Sequence, residues 1–150
     1  MARRPRVGHR LVLVWAQAAR GPECGPSIGC MPSSFYQLVI HSRDPHALAR
    51  FWSAVLDQPI LFAADDEVIV GAHRNAYPGL CFVTVPEAKT IQNRLHIDLD
   101  PDDLEAEVAR VLALGARHAD VGQGDVPWVV LADPEGNEFC ILQPHKSLID

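Results

Sequence analysis

The sequence is poor in cysteine and moderate in charge, and each of these features excludes a class of protein. Four cysteines among 150 residues are too few for a scaffold held together by disulfides. A chain that is 48% hydrophobic and 21% charged is also unlike a disordered, fibrous or membrane protein. We therefore expect one soluble domain with reduced thiols, located in the cytoplasm and stabilised by its own hydrophobic core.

Two catalytic signatures are missing from the sequence. No serine lies in a G-x-S-x-G segment, the sharp turn that exposes the nucleophile of many hydrolases. The segment "GQG" at 122–124 lacks the further glycine and the helix of a dinucleotide-binding turn. We therefore expect neither acyl transfer by serine nor nucleotide-dependent chemistry.

Positive charge is scarce in the part of the chain where the domain is expected. Residues 1–30 carry five arginines against one acidic residue, whereas residues 31–150 carry 8 lysines and arginines against 18 acidic residues. Binding to nucleic acid needs clustered cations on the domain itself. We expect neither a nucleic acid nor a membrane as partner.

The first thirty residues share only some features with a secretory signal. A basic start is followed by an apolar run from Leu11 to Ala16 and then by "RGPECGPSIGC". The run is shorter than the roughly 7 to 15 apolar residues that a signal needs, and the continuation has no period. We expect residues 1–30 to be a disordered extension or a wrongly assigned start, with the domain at 31–150. A true signal is the alternative, and Met1 and Met31 both stay open as the first residue.

From Phe35 onward the sequence predicts a strand, a helix and three strands. "FYQLVIHS" has the period of two that is typical of a strand. "DPHALARFWSAVL" has a capping aspartate at Asp44, Pro45 in the first turn and apolar residues at helical spacing. Short strands follow in "PILFAA", "EVIVGAH" and "LCFVTV".

The same order of elements then begins again. "RLHIDLD" alternates as a strand, and "PDDLEAEVARVLALGA" predicts a helix that begins at Asp100 and Pro101 and ends at Gly115. Strands follow in "RHADV", "WVVLAD" and "EFCILQ", which makes the chain a repeat of two βαβββ modules at about 35–86 and 94–144. Each module has one helix to cover one sheet face, so the other faces must meet each other or a ligand. We expect an α+β fold in which two curved sheets surround a cleft.

Three segments of this repeat resemble a known family. "HSRDPHALARFWSAVL", "RLHIDL" and "DPEGNEFCIL" make the chain similar to the vicinal oxygen chelate superfamily, which includes glyoxalase I, bleomycin-resistance proteins and extradiol dioxygenases. The likeness extends from about Phe35 to Pro144 and is greatest to small bacterial glyoxalase-like domains. It implies paired βαβββ modules around a cleft, and it implies either a metal enzyme or a metal-free binding protein.

The resemblance also implies a set of metal-ligand positions. In metal-dependent members, one ligand comes from the first and one from the last strand of each module. By position, these strands offer Gln37, Val83 or a neighbour, His96, and Cys140 where a glutamate is usual. Val83 has no donor atom, and a thiol is a poor substitute for a carboxylate toward nickel, manganese or iron. We expect no bound metal; if zinc, nickel, manganese or iron does bind, His96 and Gln37 are the expected ligands.

The candidate pocket residues lie on the non-helical strand faces and in one loop. They are Gln37, Val39, His41, His96, Asp98, Trp128 and Cys140. Cys140 has Phe139 and Ile141 as neighbours, which favours a buried pocket wall over a ligand. Asp98 shares the face of His96 and would fix its tautomer or act as a base, and Glu138 is a second candidate base or a rim residue.

The predicted function is that of a glyoxalase-like protein that binds or transforms a small organic molecule in the cleft. A homodimer is expected, because open sheets leave strand edges that a partner would cover. Two alternatives stay open: a metal-dependent lyase, isomerase or dioxygenase in which Asp98 or Glu138 moves a proton, and sequestration of a drug or metabolite. The residues do not decide whether the protein is an enzyme.

Overall fold

The structure is a computed structural model that describes residues 33–145. The predictions for residues 1–30, including the choice between Met1 and Met31, lie outside this range. No helix within residues 33–145 has the length and apolar character of a membrane span.

The first module is a four-stranded sheet with one helix. Its elements are β1 (Gln37–Ser42), α1 (Pro45–Leu56), β2 (Ile60–Ala63), β3 (Glu67–Val70) and β4 (Gly79–Thr84). The strand order is β1-β4-β3-β2, in which β1 and β4 are parallel and the other pairs are antiparallel. The predicted order of elements is confirmed.

Helix α1 begins and ends for local reasons that the sequence contains. The Asp44 carboxylate accepts a hydrogen bond from the Ala47 amide, and Pro45 occupies the first turn, where its missing N–H costs nothing. Asp57 ends the helix in the left-handed conformation, with φ of 50°. The predicted apolar stripe is buried and includes Leu48 and Trp52.

The second module repeats this arrangement with shorter strands. Its elements are β5 (Asp98–Leu99), α2 (Leu104–Ala113), β6 (Arg117–His118), β7 (Val129–Ala132) and β8 (Glu138–Ile141). The strand order is β5-β8-β7-β6, with β5 and β8 parallel. The α+β fold with two mixed sheets is therefore as predicted.

The predicted start of the second helix is wrong by one turn. Asp103 caps α2 by accepting a hydrogen bond from the Ala106 amide, whereas Asp100 accepts one from the His145 amide near the end of the described chain. Both aspartates have the chemistry of a helix cap. The tertiary contact to His145 engages Asp100, and this contact could not be seen in the sequence.

One hydrophobic core serves both modules. The sheet faces that pack against the helices carry residues such as Phe82 and Ile141, both fully buried. Trp52 of α1 reaches across to Phe139 of β8, with ring centroids 5.1 Å apart in a tilted edge arrangement. The helix-side faces of the two sheets are therefore parts of the same core.

The β7–β8 turn makes polar contacts with the first module. Asp133 is fully buried and accepts hydrogen bonds from the Trp52 indole and from three groups of its own turn: the Glu135 amide, the Asn137 amide and the Asn137 side chain. Glu135 in turn accepts bonds from the Ser42 hydroxyl and from the amides of Arg43 and Asp44. The "DPEGN" segment thus fixes the entry to α1.

The sheet faces that do not pack on a helix are called the open faces. On the first sheet, strand register places Val39, Cys81, Ile69 and Phe62 in one row across the open face. On the second sheet, Asp98, Cys140 and Val130 form the corresponding row. Cys81 of the first module and Cys140 of the second therefore occupy equivalent positions. Val39 and Asp98 are equivalent in the same way.

Candidate functional site

A cavity of about 530 Å³ lies on the open face of the second sheet. Val130 and Cys140 line it from the sheet. The other lining residues come from the linker (Gln92, Asn93), from β5 and the residues before it (His96, Asp98), from the loop before β7 (Val121, Gln123, Pro127, Trp128) and from β8 and the segment after it (Glu138, Phe139, Leu142, Gln143, His145). The sequence-predicted residues His96, Asp98, Trp128, Glu138 and Cys140 are thus brought together.

His96, Asp98 and Cys140 form the polar centre of this cavity. The His96 Nε2 atom lies 3.1 Å from Asp98 Oδ1, and one potential ligand atom from each of the three residues lies within 4.8 Å of the others. His96 and Asp98 are about half exposed, whereas Cys140 is buried. Because Asp98 and Cys140 are register partners on β5 and β8, the backbone itself sets their separation.

The Cys140 thiol is protonated at neutral pH. Burial, together with the negative charge of Asp98 and a hydrogen bond to it, raises the pKa of Cys140 to about 11. A thiol in this state is a weak nucleophile. By itself, Cys140 therefore forms part of the cavity wall, consistent with the interpretation of its apolar neighbours.

Glu138 is held by the linker between the modules. Its carboxylate accepts a hydrogen bond of 2.7 Å from the Lys89 ammonium and one of 3.0 Å from the Asn93 amide. Burial acts to raise the pKa of Glu138, but the bonds from Lys89 and Asn93 outweigh it and leave that pKa below its ordinary value. An ionised carboxylate with its lone pairs engaged is a weak base, so the arrangement favours an anchoring role for Glu138.

The candidate residues of β1 lie apart from this cavity. Val39 and His41 line a second cavity of about 1010 Å³, to which both modules and the linker contribute and which His96 and Glu138 also border. Gln37 is not among the residues that line either cavity. Gln37 and His96, the metal ligands that the resemblance implies, therefore do not share either of these two cavities.

Cys81 is the counterpart of Cys140 in the first module, and both thiols are buried, as their strand patterns predict. The Cys81 thiol lies on the open face of the first sheet and contacts Glu67, with Sγ and Oε1 3.3 Å apart. Burial, the hydrogen bond to Glu67 and the charge of Glu67 raise the pKa of Cys81 to about 12. Aligning the two modules on their last strands places Cys81 at the position equivalent to Cys140, whereas the resemblance pointed to Val83 or a neighbour.

The charge of the 530 Å³ cavity is negative. Among the lining residues within the described chain, 33–145, none is a lysine or an arginine, whereas Asp98 and Glu138 are acidic. Lys89 neutralises Glu138 from outside the lining. Among residues 33–145, the His96 imidazole is the one basic group within ion-pair distance of Asp98, so Asp98 supplies the net charge that a ligand would meet.

Comparison with known proteins agrees with this architecture. No curated protein matches the chain in sequence. A glyoxalase/bleomycin resistance protein/dioxygenase family enzyme from Burkholderia phytofirmans superposes with a TM-score of 0.59 at 18% identity, covering 75% of this chain and 100% of that one. The fosfomycin resistance protein FosX from Listeria monocytogenes, complexed with Mn(II) and a dihydroxypropylphosphonic acid, gives 0.59 at 14% identity, with 77% and 94% covered.

A third similar structure is an antibiotic-binding protein from a Streptomyces species, with a TM-score of 0.54 at 20% identity, covering 78% of this chain and 100% of that one. At these identities the superpositions show the fold alone. The sequence model of the glyoxalase-like domain, in contrast, matches residues 37–142, which contain every strand and both helices of the described part of the chain. The chain therefore belongs to the glyoxalase-like domain family.

Proposed function

We propose that this protein binds a small, largely apolar organic molecule, uncharged or cationic, in the 530 Å³ cavity of the second module. The observation that carries the proposal is the combination of a largely apolar lining with one carboxylate, that of Asp98, which no lysine or arginine of residues 33–145 neutralises. The bound molecule is either sequestered or transformed, and these two outcomes correspond to the antibiotic-binding and enzymatic proteins that share the fold.

The size and lining of the cavity support a small-molecule ligand. A volume of about 530 Å³ is in the range that accommodates a drug-sized compound. Trp128, Pro127, Val121 and Leu142 offer apolar contact area, and an indole ring is well suited to stack on a planar ligand. The few polar groups, led by His96 and Asp98, would orient the ligand.

The charge of the cavity supports selection against anions. FosX is complexed with a phosphonic acid together with Mn(II). In the cavity of this protein, an anion would meet Asp98 without a lysine or arginine from the described lining residues to compensate it. At an effective dielectric constant of about 20, two like charges 4 Å apart repel by about 4 kcal/mol, and the half-exposed position of Asp98 reduces this figure.

The homodimer is part of the proposal. Val39 and Phe62 lie at the two ends of the row on the open face of the first sheet, and each is 48% exposed. Tyr36 and Tyr77, just before β1 and β4, form an exposed aromatic pair with ring centroids 5.0 Å apart. Apolar surface of this kind is typical of a face that another chain covers. In a solution of this protein alone, the chain that covers this face is a second copy of the same protein.

A matched pair of ligands tests the binding proposal. We expect 2-naphthylmethylamine to quench the fluorescence of Trp128 at micromolar to millimolar concentration in the chelator-treated protein, and 2-naphthoic acid of the same shape to bind about tenfold more weakly or worse. Trp128→Phe should abolish the response, which assigns it to this cavity rather than to the buried Trp52 or to Trp15.

Asp98→Asn is the matched charge control, since it changes the charge of the cavity and preserves its volume. We expect the variant to bind the amine and the acid with affinities within about threefold of each other. Equal binding of both compounds to the native protein would contradict the charge argument, and no quenching by either would contradict the site. Chromatography of the recovered ligand then distinguishes sequestration from turnover.

A further inference from the structure

We propose that His96, Asp98 and Cys140 form a three-ligand site for a zinc-class divalent cation, built entirely within the second module. This site keeps His96 and Cys140 from the positions that the resemblance implies, but its third ligand is Asp98 rather than Gln37 or another position of the first module. The cation would engage Asp98, the carboxylate that the proposed function also uses, so the organic ligand is tested on chelator-treated protein and the cation is tested by itself.

The geometry fits a tetrahedral cation after small side-chain movements. Zinc bonds of about 2.0 to 2.3 Å place neighbouring ligand atoms about 3.3 to 3.8 Å apart. In the structure the His96–Asp98 pair is at 3.1 Å and all three ligand atoms lie within 4.8 Å of one another. His96 and Asp98 are half exposed, so their side chains are free to make the adjustment while Cys140 stays fixed in β8.

The donor set selects for a borderline-soft cation. It offers one imidazole nitrogen, one carboxylate oxygen and one sulfur, a mixture that suits zinc and cobalt better than magnesium or manganese. On binding, the Cys140 S–H bond breaks, the sulfur forms a bond to the cation and the proton leaves to solvent. The thiolate and the Asp98 carboxylate then balance the two positive charges of the ion.

The site has an open side. The three residues line the 530 Å³ cavity, so a fourth ligand would approach the cation from the cavity. Three protein ligands with one accessible position are the arrangement of a catalytic rather than a structural zinc site. Within residues 33–145 this is the only group of three or more His, Cys, Asp or Glu side chains whose ligand atoms all lie within 4.8 Å of one another.

The first module contains a natural control for this site. Cys81 occupies the position equivalent to Cys140 and is likewise buried beside a carboxylate, that of Glu67. Val39 stands where the second module has Asp98, as the strand registers show. Gln37 precedes Val39 by two residues, as His96 precedes Asp98. With the imidazole replaced by an amide and the aspartate by an apolar side chain, the Cys81 site has no nitrogen ligand.

Cobalt(II) titration of the full chain tests the proposal. Cys24→Ser and Cys30→Ser are introduced first, because these thiols also occur in the chain and would bind the probe. After chelator treatment, we expect about one cobalt per chain with a sulfur-to-cobalt charge-transfer band in the near ultraviolet, and displacement of cobalt by zinc.

The variants separate the proposed ligands from the control thiol. His96→Ala and Cys140→Ser should each weaken cobalt and zinc binding at least about tenfold, and Cys140→Ser should also abolish the sulfur band. Cys81→Ser should leave the affinity within about twofold. Circular dichroism verifies the fold of each variant, and Cys140→Ala is a second substitution should the serine disturb β8.

Three results would overturn the proposal. The first is the absence of a sulfur band in the Cys24→Ser/Cys30→Ser protein, and the second is a band that persists in folded Cys140→Ser or Cys140→Ala. The third is equal weakening by Cys81→Ser and Cys140→Ser. Binding of 2-naphthylmethylamine to the chelator-treated protein is measured independently, so failure of the cation site and failure of the organic-ligand site give different patterns.

Discussion

Replacement of Asp133 by alanine should be one of the most destabilising single changes in the described part of the chain. Its carboxylate is fully buried and accepts four hydrogen bonds, at 3.2 Å from the Trp52 indole, at 2.9 Å from each of two turn amides and at 2.8 Å from the Asn137 side chain. Hydrogen bonds to a charged acceptor each contribute about 1.5 to 3 kcal/mol.

These contributions are not additive, and the structure indicates which of them is lost outright. The donors of Glu135 and Asn137 belong to a turn that is only partly buried, so water replaces part of their bonding in the variant. Trp52 is 2% exposed, so its indole N–H loses its partner and stays unpaired. We expect Asp133→Ala to lower the free energy of unfolding by about 3 to 5 kcal/mol, a large fraction of the about 5 to 15 kcal/mol of a typical domain.

A double-mutant cycle isolates the bond between the modules. Asp133→Asn keeps the shape of the side chain but replaces one carboxylate oxygen with an amide NH2 group. When this NH2 group takes the place of Oδ2, it faces the Trp52 indole N–H, and neither group has an acceptor there. Trp52→Phe removes the indole N–H, so the double variant should be less destabilised than the sum of the single changes by about 1 to 2 kcal/mol. Urea denaturation followed by circular dichroism measures all four proteins, and Asp102→Ala at an exposed site is the control, expected within about 0.5 kcal/mol.

The reasoning would be refuted by additivity. If the changes at Trp52 and Asp133 summed within about 0.3 kcal/mol, the two side chains would not interact in solution, and the contact between α1 and the β7–β8 turn would be absent. A loss below about 1 kcal/mol in Asp133→Ala would show that water replaces the carboxylate and that the turn is not buried against the first module.

The order of elements could be predicted because each one carries a local signal. Asp44 and Pro45 specify the start of α1 through backbone chemistry that acts over three or four residues, and period-two alternation identifies the strands. The start of α2 was mispredicted because Asp100 and Asp103 are equally good caps locally. A contact with His145, 45 residues away, engages the first of them.

The candidate site was predicted in part for a related reason. Alternation within "RLHIDLD" places His96 and Asp98 on one face, and the repeat places Cys140 on the opposing last strand, so their meeting follows from topology. The role of Glu138 could not be predicted in this way. Its partners Lys89 and Asn93 lie in a linker without period, and only the three-dimensional path of that linker brings them to β8.

Two predictions concern Glu138 and the assembly. The depressed pKa of Glu138 means that its ionised form stabilises the fold above the ordinary value of 4.5, and this contribution is lost as the pH falls through the lower folded-state pKa. Glu138→Gln should therefore cost about 1 to 2 kcal/mol at pH 7 and less at pH 3.5; urea denaturation at both values measures it, and an equal cost at both would contradict the ion pair with Lys89. For the assembly, light scattering at tens of micromolar should give twice the 16.5 kDa of one chain. Phe62 is 48% exposed in an apolar row on the open face of the first sheet, so Phe62→Lys should place a charge in the interface and give the monomer mass. His118→Lys, at an exposed position of β6 in the other sheet, should leave the dimer mass unchanged. A monomer mass for the native chain would show that the row is exposed in solution, and a dimer that persists in Phe62→Lys would place the interface on another surface.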